Sequence, residues 1–312
     1  MATEQAKYRG NTIIRQIRYR AATFLETRSR HIMLIPAITF LLFMIAFPVG
    51  FALYMMFFQW SGGAANPPVF VGFGNFIRLF AGDLRFRNAL KVTFYIAGVG
   101  VIIQTILGTA IALLLNKSFF GRSVIRAILL LPMMATWVAT ALVWRWMMHP
   151  TSGILNYFLE LIGLPRLMWL SSPSTVIPSL ILIDTWQWTP LIIIIVLAGL
   201  QSLPKEPYES AQIDGANSWQ TFWHITLPLI RPVILTAMVL RCIDAIKTFD
   251  IIMSASQGGP GFASENLNVY TYSTALYYFR IGYASTLIIV FFALVLLSSF
   301  LLSKLKGEVY VE

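Results

Sequence analysis

Two groups of polar and ionisable residues interrupt otherwise apolar stretches of this 312-residue chain. Asp184, Gln187, Trp188 and Leu191 follow an i, i+3, i+4, i+7 spacing, and Arg241, Asp244, Ala245 and Thr248 repeat it, so on helices each set shares one face. Counted at about 1.5 Å per residue from the ends of their apolar stretches, Asp184 and Arg241 fall at matching depth. Carboxylate, amide, guanidinium and indole at one depth suit a polyhydroxylated ligand: the polar groups exchange hydrogen bonds with hydroxyls, and an indole face stacks on the apolar side of a sugar ring. A second reading stands beside this one. Asp184, Arg241, Asp244, Lys247 and Asp250 could neutralise one another, since Asp244, Lys247 and Asp250 step by three along one helix. Charges inside apolar spans are costly and face either a bundle interior or a water-filled cavity, so both readings put these faces inward.

The elements that position these faces follow from composition. Hydrophobic residues make up 57% of the chain and charged residues 12%, with a mean hydropathy of +0.72, which predicts a polytopic membrane protein. A hydrocarbon layer of roughly 30 Å needs about 20 apolar helical residues per crossing. Six stretches meet this, near 32–58, 91–115, 124–148, 175–200, 232–253 and 281–303. Runs such as Leu191 to Val196 do not alternate, which predicts helices rather than strands. The first stretch outruns a signal-peptide core and reads as an uncleaved span. Placing the N-terminus inside puts fourteen basic residues on the cytoplasmic face and six outside, so both termini are expected in the cytoplasm. The net charge of +10 is thus sorted by side of the membrane and does not call for nucleic acid.

The expected organisation is an all-α membrane protein with six transmembrane helices: a basic cytoplasmic segment over 1–31, a transmembrane domain over 32–306 and a cytoplasmic tail over 307–312. Ile13, Ile14, Ile17, Ala21, Phe24 and Leu25 recur at helical spacing in the first segment and suggest an interfacial helix on the lipid surface. Leu155 to Ile162 could form a short outer helix. Cys242 is the sole cysteine, so no internal disulfide is possible, and the three histidines lack ligand spacing. No phosphate-cradling G-x-x-x-x-G-K-[ST] segment, H-E-x-x-H or G-x-S-x-G is present, which argues against an enzyme.

Between the fourth and fifth stretches lies a polar segment, 204–228, with helical punctuation of its own. Pro204 and Pro207 suit a helix first turn, Gly215 a C-terminus needing positive φ, and Ser218 the N-cap of a second short helix ending at Pro228. Glu209-Ser210-Ala211, Gly215, Ile225, Leu227 and Pro228 resemble the EAA loop of ABC-importer permeases, with Ser210 where that family usually has alanine. The resemblance implies the type I ABC-importer permease fold and a knob, including Asp214, that docks on a cytoplasmic ATPase, with Glu209 meeting a basic residue of the partner. It implies no cofactor in this chain, ATP and magnesium being held by two copies of that ATPase.

Ser256 to Ser264, with Gly258-Gly259-Pro260 at its centre, resembles the G-G-P-x-x-A-T stretch of the first permease of maltose-type carbohydrate importers, and Val71-Gly72, Asn75 and Phe76 resemble a short external element of sugar permeases. These resemblances imply a second, homologous permease beside this one and an extracytoplasmic binding protein. They place the chain in a bacterial or archaeal inner membrane. The expected cargo is a sugar or polyol, with Arg241 and Lys247 leaving room for an anionic derivative. The alternative, from a different class, is an ion-coupled secondary transporter or channel, which would have no need of an EAA knob.

Overall fold

The computed structural model describes residues 34–62 and 67–309, with side chains to residue 304. The expected interfacial helix before residue 31 and the last three residues of the tail lie outside these bounds. The chain divides into two compact units, Met1–Tyr54 and Met55–Glu312. The described part of the first, residues 34–54, belongs to helix α1, Leu34–Met55, which is apolar along its whole length, with Phe43 and Phe47 stacked one turn apart at 6.1 Å.

The second unit opens with a two-residue antiparallel ribbon, β1 (Phe58–Gln59) pairing with β2 (Val69–Phe70). Asn75, in α2 (Gly74–Gly82), is buried and donates to the carbonyls of Met56 and Phe58, so one amide satisfies the backbone leading into the ribbon. There follow α3 (Leu84–Asn116), α4 (Arg122–Met134), α5 (Trp137–Met147), the short α6 (Ile154–Leu161) and α7 (Val176–Gln201). Helix α6 falls within one residue of the short helix expected over Leu155 to Ile162. Next come α8 (Glu206–Ile213), α9 (Ser218–Thr221) with a π turn over Phe222–Thr226, α10 (Leu227–Ile246), α11 (Asp250–Ala255), α12 (Leu267–Tyr272) with a second π turn, and α13 (Ile281–Val309).

Helices α3 and α7 form the central pair, and α10 packs against both. Lipid tails are as apolar as leucine, so close approach has to come from small residues. Gly108 supplies it, because a Cβ there would lie 2.7 Å from Ile192. Around this pair, Ala112, Leu115, Ile192, Val196, Ile230 and Ala237 join α3, α7 and α10 in one apolar cluster. A second cluster, with Ile96, Ala141, Leu180, Ile183, Ile252 and Val269, joins α3, α5, α7, α11 and α12.

Among the described residues four helices are long and apolar enough to cross a membrane: Leu34–Met55, Leu84–Asn116, Val176–Gln201 and Ile281–Lys304. The other two expected stretches are broken. The third becomes α4 and α5, bent by 99°, where Pro132 lacks an amide hydrogen to continue the ladder. The fifth begins earlier than its apolar pattern indicated, at Leu227 with Pro228 in its first turn, and ends at Ile246 before α11 resumes at Asp250. Both breaks are satisfied by side-chain amides. Gln187 donates to the carbonyls of Pro132 (2.8 Å) and Ala135 (3.0 Å) at the first. Asn268 and Asn266 donate to those of Lys247 and Thr248 at the second.

Candidate functional site

The two polar faces meet. Asp184 of α7 and Arg241 of α10 are buried, at 3% and 0% exposure, and the guanidinium Nη2 donates to the carboxylate Oδ2 at 2.5 Å. A residue absent from the expected site completes the cluster. Gln104 of α3, fully buried, donates to the same Asp184 oxygen at 2.7 Å and accepts from Arg241 Nε at 2.8 Å. One amide thus bridges both charges, and the three central helices are tied at one point. Its only sequence signal was an uncharged amide inside a long apolar helix. Among the described residues, Asp184 Oδ1 and Arg241 Nη1 have no hydrogen-bond partner in their buried positions, although Nη1 lies 4.0 Å from Asp244 Oδ2.

Of the other expected residues, Trp188, Asp244 and Thr248 line a neighbouring cavity of about 140 Å³, and Gln187, Leu191 and Ala245 do not. Trp188 belongs to the charge cluster as well: Arg241 stands 4.9 Å over its ring, and the same indole lines the cavity opposite Trp137, 5.9 Å away. Asp244 and Thr248 line the cavity with Lys247, Phe249, Asp250 and Ile251. Asp244 and Lys247 pair at 3.5 Å. Gln187 shares a helical face with Asp184 by spacing, but its amide turns to the α4–α5 break. Ala245 is buried in an apolar cluster with Ala97 and Val101, and Leu191 is half-buried and away from the cavity. Trp137, Phe249 and Ile251 are cavity residues that helical spacing could not find, since they lie on other elements. Asp250 was visible only as a step of a charge ladder, and Lys247 as another step and as a possible counter-charge for an anionic cargo. Chemically, two indoles, two carboxylates, an ammonium and a hydroxyl around a small cavity can stack a ring and bond its hydroxyls.

The polar segment after α7 folds as two short helices around a left-handed glycine. Pro207 sits in the first turn of α8. At its C-terminus Gly215 has φ +75°, the Ala216 amide donates to Ala211 at 2.9 Å and the Gly215 amide to Gln212 at 3.2 Å, a Schellman closure. Ser218 is not the N-cap of α9. Asn217 takes that place, its side chain accepting from the amides of Trp219 and Gln220 while Gln220 returns a bond to the Asn217 amide. The longer amide-bearing side chain one residue earlier reaches both free amides, which leaves Ser218 inside the helix. Tyr208 bonds Thr226 at 3.3 Å and closes the knob on its stem. Ala211 is buried and Ile225 and Leu227 are half-buried, whereas Glu209, Asp214, Gly215 and Pro228 are exposed. Ile213 and Trp219 are also exposed, at 87% and 70%.

At the far end of the bundle, Asp83 caps α3 through the Phe86 amide at 2.9 Å and accepts hydrogen bonds from the hydroxyls of Tyr270 and Tyr283. Burial raises its pKa, but these bonds from Tyr270, Tyr283 and the Phe86 and Arg85 amides outweigh it and hold the carboxyl below the usual range. Arg85 and Glu265 form a bidentate pair, both contacts 2.6 Å, with the guanidinium 4.0 Å over Phe262. That pair secures the Gly258–Ser264 turn, in which Ser264 bonds the Gly259 carbonyl at 2.6 Å.

A bundle of broken and unbroken apolar helices, with a polar knob between two of them and a buried charge pair at its centre, defines a helical membrane permease. The chain belongs to the family described as binding-protein-dependent transport system inner membrane component, which matches residues 104–306. It is 33% identical over 299 residues to the trehalose/maltose transport system permease protein MalF of Thermococcus litoralis, covering 95% of this chain and 97% of that one. It is 33% identical over 263 residues to the sulfoquinovosyl glycerol transport system permease protein SmoG of Agrobacterium fabrum, covering 84% and 85%. Its fold matches a crystal structure of a bacterial ABC transporter involved in import of the acidic polysaccharide alginate, with TM-score 0.79, 25% identity and coverage of 93% and 99%.

Proposed function

We propose that this chain is one of two homologous permeases in an ATP-driven importer of a sugar or related polyol. The observation that carries this is the knob over 204–228, whose Schellman bend and capping box hold Glu209, Asp214, Ile213 and Trp219 outward on a rigid mount. Such a mount transmits a push. Two copies of a cytoplasmic ATPase, binding ATP and magnesium, would close against the two knobs, tilt the spans and turn a central cavity from outside to inside. This chain needs no cofactor of its own for that role. In this reading α4–α5 and α10–α11 serve as the third and fifth of six crossings, with both termini in the cytoplasm of a bacterial or archaeal cell.

The substrate wall is the cavity beside Trp137 and Trp188. Its volume of about 140 Å³ is below the roughly 300–1,000 Å³ of complete ligand pockets, which suits one half of a site whose other half comes from the second permease. Its charged lining, two carboxylates and one ammonium, favours hydroxyl recognition. An anionic sugar would need its counter-charge from the facing subunit. Delivery by an extracytoplasmic binding protein accords with the family's description, and the named relatives handle saccharides or glycosyl derivatives.

The test is reconstitution in proteoliposomes with the second permease, binding protein and ATPase. Uptake of radiolabelled sugar is expected only with ATP inside and binding protein outside. Uptake driven by an ion gradient without the ATPase would overturn the reading in favour of a secondary transporter or channel.

A further inference from the structure

Among the described residues, two arginines at one membrane boundary carry no acidic partner. Arg122 begins α4 and Arg126 lies one turn on, where the C-terminal ends of α3 and α7 converge. With its amide oxygen facing them, Gln201 accepts from Nη2 of both at 2.9 Å, and Arg126 makes a long 3.4 Å contact with the Leu115 carbonyl. The ion pairs of the described residues all lie elsewhere. Among the described residues, Nε of each arginine is buried without a hydrogen-bond partner. Two guanidiniums gathered on one neutral amide repel each other, and helix C-termini supply only partial negative charge. The arrangement therefore calls for an anion.

An apolar groove leads from Arg126, the inner member of this pair, toward the membrane interior. A cavity of about 250 Å³ runs from Arg126 and Gln201 along Leu115, Leu129, Leu130, Ile193, Ile194 and Leu197. Gln201 is the last residue of α7 and Ile193 lies eight residues earlier, about 12 Å deeper at 1.5 Å per residue. A polar, doubly cationic mouth at the level of headgroups and an apolar trough at the level of tails match one ligand chemistry. We propose that Arg122 and Arg126 bind the phosphate of an anionic phospholipid whose acyl chain lies in the groove between α4 and α7. Guanidinium suits this better than ammonium, because its planar fork engages two phosphate oxygens at once. Basic clusters of this kind at a membrane boundary recognise anionic headgroups.

The assembled permease–ATPase complex, in nanodiscs of phosphatidylcholine doped with phosphatidylglycerol, tests the proposal by native mass spectrometry after detergent release. Wild type should retain phosphatidylglycerol over phosphatidylcholine. Arg122→Gln with Arg126→Gln should reduce retention by roughly fivefold for each charge removed, whereas Arg126→Lys should keep part of it and Arg166→Gln all of it. Ala198→Trp, which fills the groove wall and leaves both arginines in place, should expel the lipid without altering the charge. Equal retention of the two lipids by wild type would overturn the proposal, as would competition by inorganic phosphate alone, which would mark a soluble-anion site. If the double arginine variant fails to assemble while Ala198→Trp retains lipid like wild type, the arginines serve only as caps for α3 and α7.

Discussion

The Asp184 carboxylate of α7 and the Arg241 guanidinium of α10, 57 residues apart, share one hydrogen bond of 2.5 Å in the centre of the bundle, and Gln104 of α3 bonds both. Each charge is dehydrated, so each is tolerable only because of the other. Asp184→Asn or Arg241→Gln alone should therefore destabilise the protein by about 3–5 kcal/mol, and the two together by markedly less than their sum. A double-mutant cycle on thermal or denaturant stability in detergent measures this. Additive losses would mean that the pair does not act as a unit.

Gln187 is expected to behave as a structural residue and not as a ligand. Gln187→Leu leaves the carbonyls of Pro132 and Ala135 without this donor at the 99° bend, a loss of about 1–3 kcal/mol. Lower stability with an unchanged apparent Km for uptake is the expected pattern. A raised Km at wild-type stability would return this amide to the substrate site.

Trp137 and Trp188 should show the reverse. Trp137→Ala removes an indole that faces the cavity without touching Arg241, and should weaken uptake by about 1–3 kcal/mol while the complex still assembles. Trp188→Ala should do the same with an added stability loss, because the indole also stacks on Arg241. Normal uptake by a well-assembled Trp137→Ala complex would remove this wall from the site.

Gly215 at φ +75° has open space around its missing Cβ, so a substitution there strains the backbone without creating a clash. Gly215→Val should cost about 1–2 kcal/mol locally, disorder the link between α8 and α9, and lower ATPase capture in a pull-down while the protein still inserts. Gly215→Asn, which tolerates the left-handed region better, should be milder. Equal capture by the valine variant and wild type would show that the bend does not govern docking.

Asp83 predicts an acid limit. Its folded pKa lies below the ordinary carboxylate value, so its contribution is complete above the unfolded pKa and is lost as pH falls through the folded one. The melting temperature of wild type should fall more steeply than that of Asp83→Asn as the pH drops below about 4. Parallel curves would show that the bonds from Tyr270 and Tyr283 contribute no pH-dependent stability.

Much of this was legible in the residues themselves. Composition and apolar run length demand membrane helices, because hydrocarbon admits no unpaired backbone. The matching depth of Asp184 and Arg241 follows from counting rises along two helices, and the Gly215 bend follows from the steric privilege of glycine. These are local or one-dimensional properties. The rest depended on which helices became neighbours. Periodicity places Gln187 on the face of Asp184, but only the packing of α4 and α5 against α7 supplies the two free carbonyls that turn its amide away. The breaks within two apolar stretches look continuous in hydropathy, since an apolar side chain reads the same on either side of a bend; they persist because amides from distant segments, Gln187, Asn266 and Asn268, satisfy the carbonyls exposed there. Gln104 joins the central charges for the same reason: a hydrogen bond is a contact in space, and its partners lie 80 and 137 residues away along the chain.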